Sequence, residues 1–130
     1  MKIKNANVMN VTLFSFGYKH DQPDADAVID VRFLPNPYYV PELSPGTGLN
    51  GNVAGYVLDN RTAEIFFHHL KPFLLSYLQE FADSDREVFR LAVGCTGGRH
   101  RSVAVVEKLK SILSKHGVTV DAFHRDIDKL

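Results

Sequence analysis

EVFRLAVGCTGGRHRS, residues 87–102, joins a segment that reads as a strand to one that reads as a helix. Its first half, residues 87–94, is apolar and β-branched enough for a buried strand. Residues 102–116 then set Val105, Leu109, Ile112, Leu113 and His116 on one stripe at helical spacing, with Gly117 where a C-cap glycine falls. Between them lies a glycine loop, and a loop in that position is suited to anions. The first amides of a helix lack intrahelical acceptors and the macrodipole is positive there, so a phosphate can be satisfied by main chain alone. Gly97 and Gly98 permit close approach and left-handed backbone angles. Arg99, His100 and Arg101 add donors, and a guanidinium can take two phosphate oxygens at once. The expected phosphate site therefore comprises Cys95, Thr96, Gly97, Gly98, His100, Arg101 and Ser102.

Working outward, residues 8–16 are rich in β-branched and aromatic side chains and stop at Gly17, a strand entering a loop. Residues 27–33 (AVIDVRF) and 118–123 read as further strands. Residues 61–81 read as a helix, with Ile65, His69, Pro72, Phe73, Leu74, Tyr77, Leu78 and Phe81 on the apolar face and Pro72 kinking it or starting a second segment. Pro35, Pro37, Pro41 and Pro45, followed by Gly46, Gly48, Gly51 and Gly55, predict a long functional loop without regular elements over residues 34–55. The strand, helix, strand order implies a right-handed crossover between parallel neighbours. The expected fold is α/β: one small domain, residues 1–130, with a mixed, mostly parallel sheet flanked by helices and an anion-binding strand-loop-helix.

The chain has 130 residues, 45% hydrophobic and 23% charged, and its fifteen Lys+Arg balance fifteen Asp+Glu. That composition excludes disorder, collagen and coiled coil, and the zero net charge removes the basic footprint of a dedicated nucleic-acid binder. Cys95 is the only cysteine, so no intramolecular disulfide can form and a reducing, cytoplasmic setting is expected. Residues 1–10 show no signal-peptide pattern, and no apolar run has the length of a membrane span. His68 and His69 are adjacent and cannot make the i, i+4 pair of a helical metal site, so neither metal nor cofactor is expected. Lys108, Lys110 and Lys115 spread around the last helix as a solvated face.

Cys95, Gly98, Arg101 and Ser102 also spell C-x-x-G-x-x-R-S, the spacing of cysteine-dependent phosphatases. In those enzymes a thiolate at a helix N-terminus attacks phosphorus while the arginine holds its oxygens. Catalysis would also need a general acid, for which Asp24, Asp26 and Asp30 are candidates, and Gly94 stands where that signature carries histidine. The plain alternative for Cys95 is a small buried residue at a strand end. Binding, rather than turnover, is the expected output. Asp30 and Arg32, two apart on a strand, would share a face and orient each other or a ligand. Lys19 and His20 follow Gly17 at a strand end, where parallel sheets place ligand loops. Tyr38 and Tyr39 could close over a sugar or anchor the proline loop.

FSFGYKH at residues 14–20, DVRFLPNP at 30–37, TGL at 47–49, and GCTGG at 94–98 followed by HRS at 100–102 occur in this order. Over about residues 11–125 the chain resembles the C-terminal domain of the RapZ/YvcJ family, the RNase adapter proteins. The resemblance implies a domain that senses glucosamine-6-phosphate, forms homo-oligomers and, in some members, presents small regulatory RNAs to an endoribonuclease. It implies a metabolite pocket using Thr96, Gly97, His100 and Arg101. Three features depart from the family pattern. The sequence contains no G-x-x-x-x-G-K-[ST], so nucleotide hydrolysis is not carried over, and a separately encoded nucleotide-binding protein is the expected partner. Tyr38 occupies the position after Asn-Pro where members frequently have histidine; a phenol donates one hydrogen bond but has no cationic form near neutral pH. The chain ends His124-Arg125-Asp126-Ile127-Asp128-Lys129-Leu130, with two acidic residues where RNA-binding members carry a basic cluster, which argues against tight RNA binding.

Overall fold

The computed structural model describes residues 9–130. Val8 of the expected first strand, and most of the stretch read for a signal peptide, lie outside the described residues. Four strands and three helices follow in the order β1 (Asn10–Gly17), β2 (Ala27–Asp30), α1 (Gly51–Leu58), α2 (Arg61–Asp83), β3 (Val88–Cys95), α3 (Arg101–Lys115) and β4 (Thr119–His124). Short 3-10 turns occupy Tyr18–His20 and Pro37–Tyr39.

The strands form one sheet in the order β2-β3-β1-β4, and every pair is parallel. The sheet is thus wholly parallel rather than mixed. The crossover through α3 does not join neighbours: it carries the chain from β3 over β1 to the far edge, and α3 packs on all three of those strands.

Alternation of side chains across the pleat gives the sheet two unlike faces. In register, Val11, Leu13 and Ser15 of β1 lie beside Phe89, Leu91 and Val93 of β3 and Val120, Ala122 and His124 of β4. The apolar members of this face join Val57 of α1, Phe67, Leu74 and Leu78 of α2, and Val105, Leu109 and Leu113 of α3 in the main core. Burying a side chain of this size contributes roughly 1.5–3 kcal/mol each, so the core rather than helix propensity fixes these elements. On the opposite face Phe14, Phe16 and Ala92 form a small cluster without a helical member. Phe123 stacks on Phe14 with ring centroids 4.9 Å apart, and the guanidiniums of Arg90 and Arg125 lie over Phe14 and Phe16.

Three local expectations are corrected. β2 ends at Asp30, not residue 33, because the Asp30 carboxylate accepts the Arg32 amide at 2.9 Å and turns the chain out of the sheet. Residues 51–58 are helical, the first five of them within the expected irregular loop: Asn50 stands at the N-cap position, and Val53 and Val57 are fully buried, so tertiary burial outweighs the cost of Gly51 and Gly55. Pro72 does not divide α2, which runs unbroken from Arg61, its start capped by Asn60 Oδ1 accepting the Ala63 amide at 3.0 Å. Pro72 lies on the solvent side, where water can serve the carbonyl left without an N–H donor.

Candidate functional site

Parallel strands deliver their C-terminal ends to one edge of the sheet, which is where loops of such sheets meet ligands. Here that edge brings together Gly17, Cys95 and the chain leaving Asp30. The glycine loop is wedged there without room for side chains. A Cβ on Gly17 would lie 2.4 Å from the Gly97 carbonyl carbon, and one on Gly98, whose φ is +77°, would lie 2.5 Å from the Gly17 nitrogen. From the other side, the Gly48 amide donates to the Arg99 carbonyl at 2.8 Å, and a Cβ on Gly48 would meet the His100 carbonyl oxygen at 2.4 Å. Lys19 donates its amide to the Thr96 carbonyl at 3.2 Å. The loop is therefore held by its carbonyls. Among the described residues, the amides of Gly97 to Ser102 have no protein acceptor.

A cavity of about 490 Å³ opens over this loop, lined by Lys19, Asn36, Tyr38, Tyr39, Ser44, Cys95, Thr96, Gly97, Arg99, His100, Arg101 and Leu130. Of the residues singled out from sequence, Lys19, Tyr38, Cys95, Thr96, Gly97, His100 and Arg101 stand in its wall. His20, Gly98 and Ser102 do not. The His20 backbone instead accepts a bond from Arg125, while its Nε2 is buried without a partner. Gly98 is turned towards Gly17 and Asp126. Ser102 lies fully buried beside Cys95, whose Sγ is 3.1 Å from Ser102 Oγ. Asn36, Ser44 and Leu130 were not foreseen. Asn36 carries one local signal, an Asn before Pro, and its Oδ1 accepts the Tyr38 amide at 3.1 Å, setting the turn that presents both tyrosines. Tyr38 and Tyr39 are exposed at the rim and meet edge to face.

Arg101 is the most unusual side chain in the wall. It is only 6% exposed, yet among the described residues no carboxylate touches its guanidinium, Asp30 acting on it only through space. Nη1 donates to the Arg32 carbonyl at 2.6 Å, Nη2 makes a long contact of 3.4 Å with Thr96 Oγ1, and Nε is buried with no partner. Such burial of an unneutralised charge is costly unless a counter-ion arrives. The His100 ring is fixed by Nε2 against the Ser44 carbonyl at 3.0 Å. Arg99, by contrast, spends its Nε on the Ile127 carbonyl at 2.9 Å.

Asp24 does not line the cavity, and the other two proposed acids, Asp26 and Asp30, are committed elsewhere. Asp26 pairs with Arg86 and accepts the Arg90 amide, five residues before Cys95 on β3 and so roughly 16 Å away. Asp30 forms a paired contact with Arg32, and those hydrogen bonds hold its carboxyl below the usual range, more than offsetting the burial that opposes ionisation. Asp126, in the acidic tail, is fully buried and accepts from Gly17, Arg125 and Lys129. A Ser15–His124–Glu107 relay, with contacts of 2.7 and 2.9 Å, has the outline of a hydrolytic triad. Ser15, however, is fully buried beneath α3 and offers no access to substrate. Among the described residues no group of three His, Cys, Asp or Glu could hold a metal ion, and no helix is long and apolar enough to cross a membrane.

The chain is thus a small α/β domain in which a glycine loop and a buried arginine wall a cavity at one edge of a parallel sheet. Residues 9–128 match the family model described as the RapZ C-terminal domain, and the chain belongs to that family. It is 43% identical over 129 residues to a nucleotide-binding protein of Thermotoga petrophila, a match covering 98% of this chain and 46% of the relative. It is 44% identical over 120 residues to a nucleotide-binding protein of Lactobacillus delbrueckii, covering 92% and 41%. A nucleotide-binding protein of Limosilactobacillus reuteri is 44% identical over 124 residues, covering 95% and 43%. The chain thus spans less than half the length of these relatives.

Proposed function

We propose that this chain is a cytoplasmic regulatory domain that binds a phosphorylated metabolite, an amino-sugar phosphate such as glucosamine-6-phosphate, and relays its occupancy to an RNA or protein partner. The observation that carries the reading is the Arg101 guanidinium, 94% buried by its 6% exposure, with an unpartnered Nε beside a loop whose amides lack acceptors. A phosphate would satisfy both at once. The sugar is supported by the rest of the wall: Asn36 and Ser44 offer polar groups for hydroxyls, and the Tyr38 and Tyr39 rings offer faces for a pyranose. Lys19 adds positive charge and His100 a ring nitrogen at the phosphate end, with Thr96 and Gly97 supplying main-chain donors.

A homo-oligomer of this chain and a partner protein are the receivers of the signal in this reading, in keeping with the regulatory role that the family implies. Against RNA as the receiver, the tail cations Arg125 and Lys129 are both engaged by Asp126. Calorimetric titration tests the reading. Glucosamine-6-phosphate should bind, glucosamine should not, and Arg101→Ala should weaken binding by about 100-fold, the loss of a charge-assisted bidentate contact. Equal affinity of wild type and Arg101→Ala would refute it.

A further inference from the structure

We propose that Cys95 is a nucleophile towards phosphorus, so that a phosphate ester seated in this cavity passes its phosphoryl group to the thiol. The inference rests on the phosphate-binding reading and adds a bond-making step to it. Cys95 is the last residue of β3 and stands in the cavity wall with its Sγ 3.1 Å from Ser102 Oγ. Arg101 is the first residue of α3, and its Nη1 is tethered to the Arg32 carbonyl. That tether leaves Nε, buried without a partner, and Nη2, whose one contact is the long 3.4 Å one with Thr96 Oγ1, as the edge of the guanidinium that matches two phosphate oxygens. Between thiol and guanidinium runs the loop whose amides lack acceptors. A phosphoryl group satisfying the amides and the Arg101 edge is thereby brought to the end of β3, where the sulfur is.

The Cys95 thiol first gives its proton to solvent, and the Ser102 hydroxyl, now accepting from S–H, turns to donate to the sulfur. An S–P bond then forms as the P–O bond to the leaving group breaks, the electron pair departing with the leaving oxygen. Water next attacks phosphorus, the S–P bond breaks with its pair returning to sulfur, and inorganic phosphate leaves as the water's proton passes to solvent. Among the described residues no Asp or Glu side chain lines the cavity, and Asp30 is held by Arg32. A leaving oxygen of low basicity, as in aryl and acyl phosphates, needs no protonation by a carboxylic acid, and these are the substrate class. The exposed Tyr38 and Tyr39 rings at the rim give an aryl group a surface to pack on.

The test uses 4-nitrophenyl phosphate and inorganic phosphate with the whole chain. Wild type should release 4-nitrophenol steadily and, after acid quench, show a phosphorylated Cys95 by peptide mass. Cys95→Ser and Arg101→Lys should fall to the rate in buffer. Inorganic phosphate that binds by calorimetry without nitrophenol release or phosphocysteine would overturn the transfer step and leave the binding reading standing. Failure of phosphate to bind would remove both. Unchanged release by a folded Cys95→Ser chain would also overturn the proposal, and should that variant not fold, the wild-type mass measurement decides.

Discussion

The carboxylate of Asp126 accepts the amide hydrogen of Gly17 at 2.7 Å, fastening the last segment of the chain to the end of β1. The same carboxylate takes Arg125 at 2.8 Å and Lys129 at 2.7 Å. Arg125 in turn spans to the carbonyls of His20 and Asp21. Because Gly98 packs directly against Asp126, this clasp backs the glycine loop from the side away from the cavity.

Asp126→Ala should cost about 2–3 kcal/mol in urea denaturation, the loss of several charge-assisted bonds offset by the freedom of Arg125 and Lys129 to reach water. The clasp should also be acid-sensitive. Burial opposes the Asp126 charge, but the Arg125, Gly17 and Lys129 donors outweigh it and hold the carboxyl far below the ordinary range. A depressed folded-state value gives stability that is complete above the unfolded carboxylate value near 3.9 and drains away as pH falls below it. Thermal melts of wild type should therefore lose this contribution below about pH 4, and Asp126→Ala should show a shallower acid limb.

Gly48→Ala should damage the site through crowding. Its Cβ would meet the His100 carbonyl at 2.4 Å and the Ala104 amide nitrogen at 2.5 Å, backbone atoms that cannot swing aside. We expect a loss of about 3 kcal/mol and weakened phosphate binding, read by thermal melt and titration, whereas Gly51→Ala, with open space around it, should be neutral or stabilising.

Pro72→Ala should stabilise the protein. The residue interrupts the hydrogen-bond ladder in the middle of α2, on its exposed side, so alanine restores a bond without touching the core. A gain of up to about 3 kcal/mol in chemical denaturation is expected. No gain would mean that the helix is adapted to proline at that point.

Ser15→Ala should destabilise by roughly 1–3 kcal/mol by leaving the buried His124 Nδ1 without its partner. Phosphate affinity should be unchanged, since the relay lies under α3 and not in the cavity wall. An altered affinity would show that the relay reaches the site.

The elements legible from sequence were those with an unambiguous period. Strands β1, β3 and β4 and helices α2 and α3 follow from alternation or from apolar stripes whose burial is their reason for being. α1 was hidden because Gly51 and Gly55 count against a helix locally, while the burial of Val53 and Val57 against distant residues decides it. The end of β2 turned on one side-chain bond, from Arg32 N–H to Asp30, which composition does not encode. In the site, the glycine loop announced itself through Gly97 and Gly98. The separation of Arg99 from Arg101 did not: alike in type and two residues apart, one bonds the Ile127 carbonyl while the other buries an unpartnered Nε, and only the third dimension separates them.

The placement of β1 between β3 and β4 also governs the order of events during synthesis. Asn10 pairs with Val88 and with Thr119, so the earliest described strand has no neighbour until most of the polypeptide has left the ribosome. Until then its Phe14 and Phe16 are unsheltered, a hazard that a nascent chain meets only by delay or by chaperone capture. Completion of the cavity is in that sense the final act of folding, because both of its walls depend on a strand that must wait.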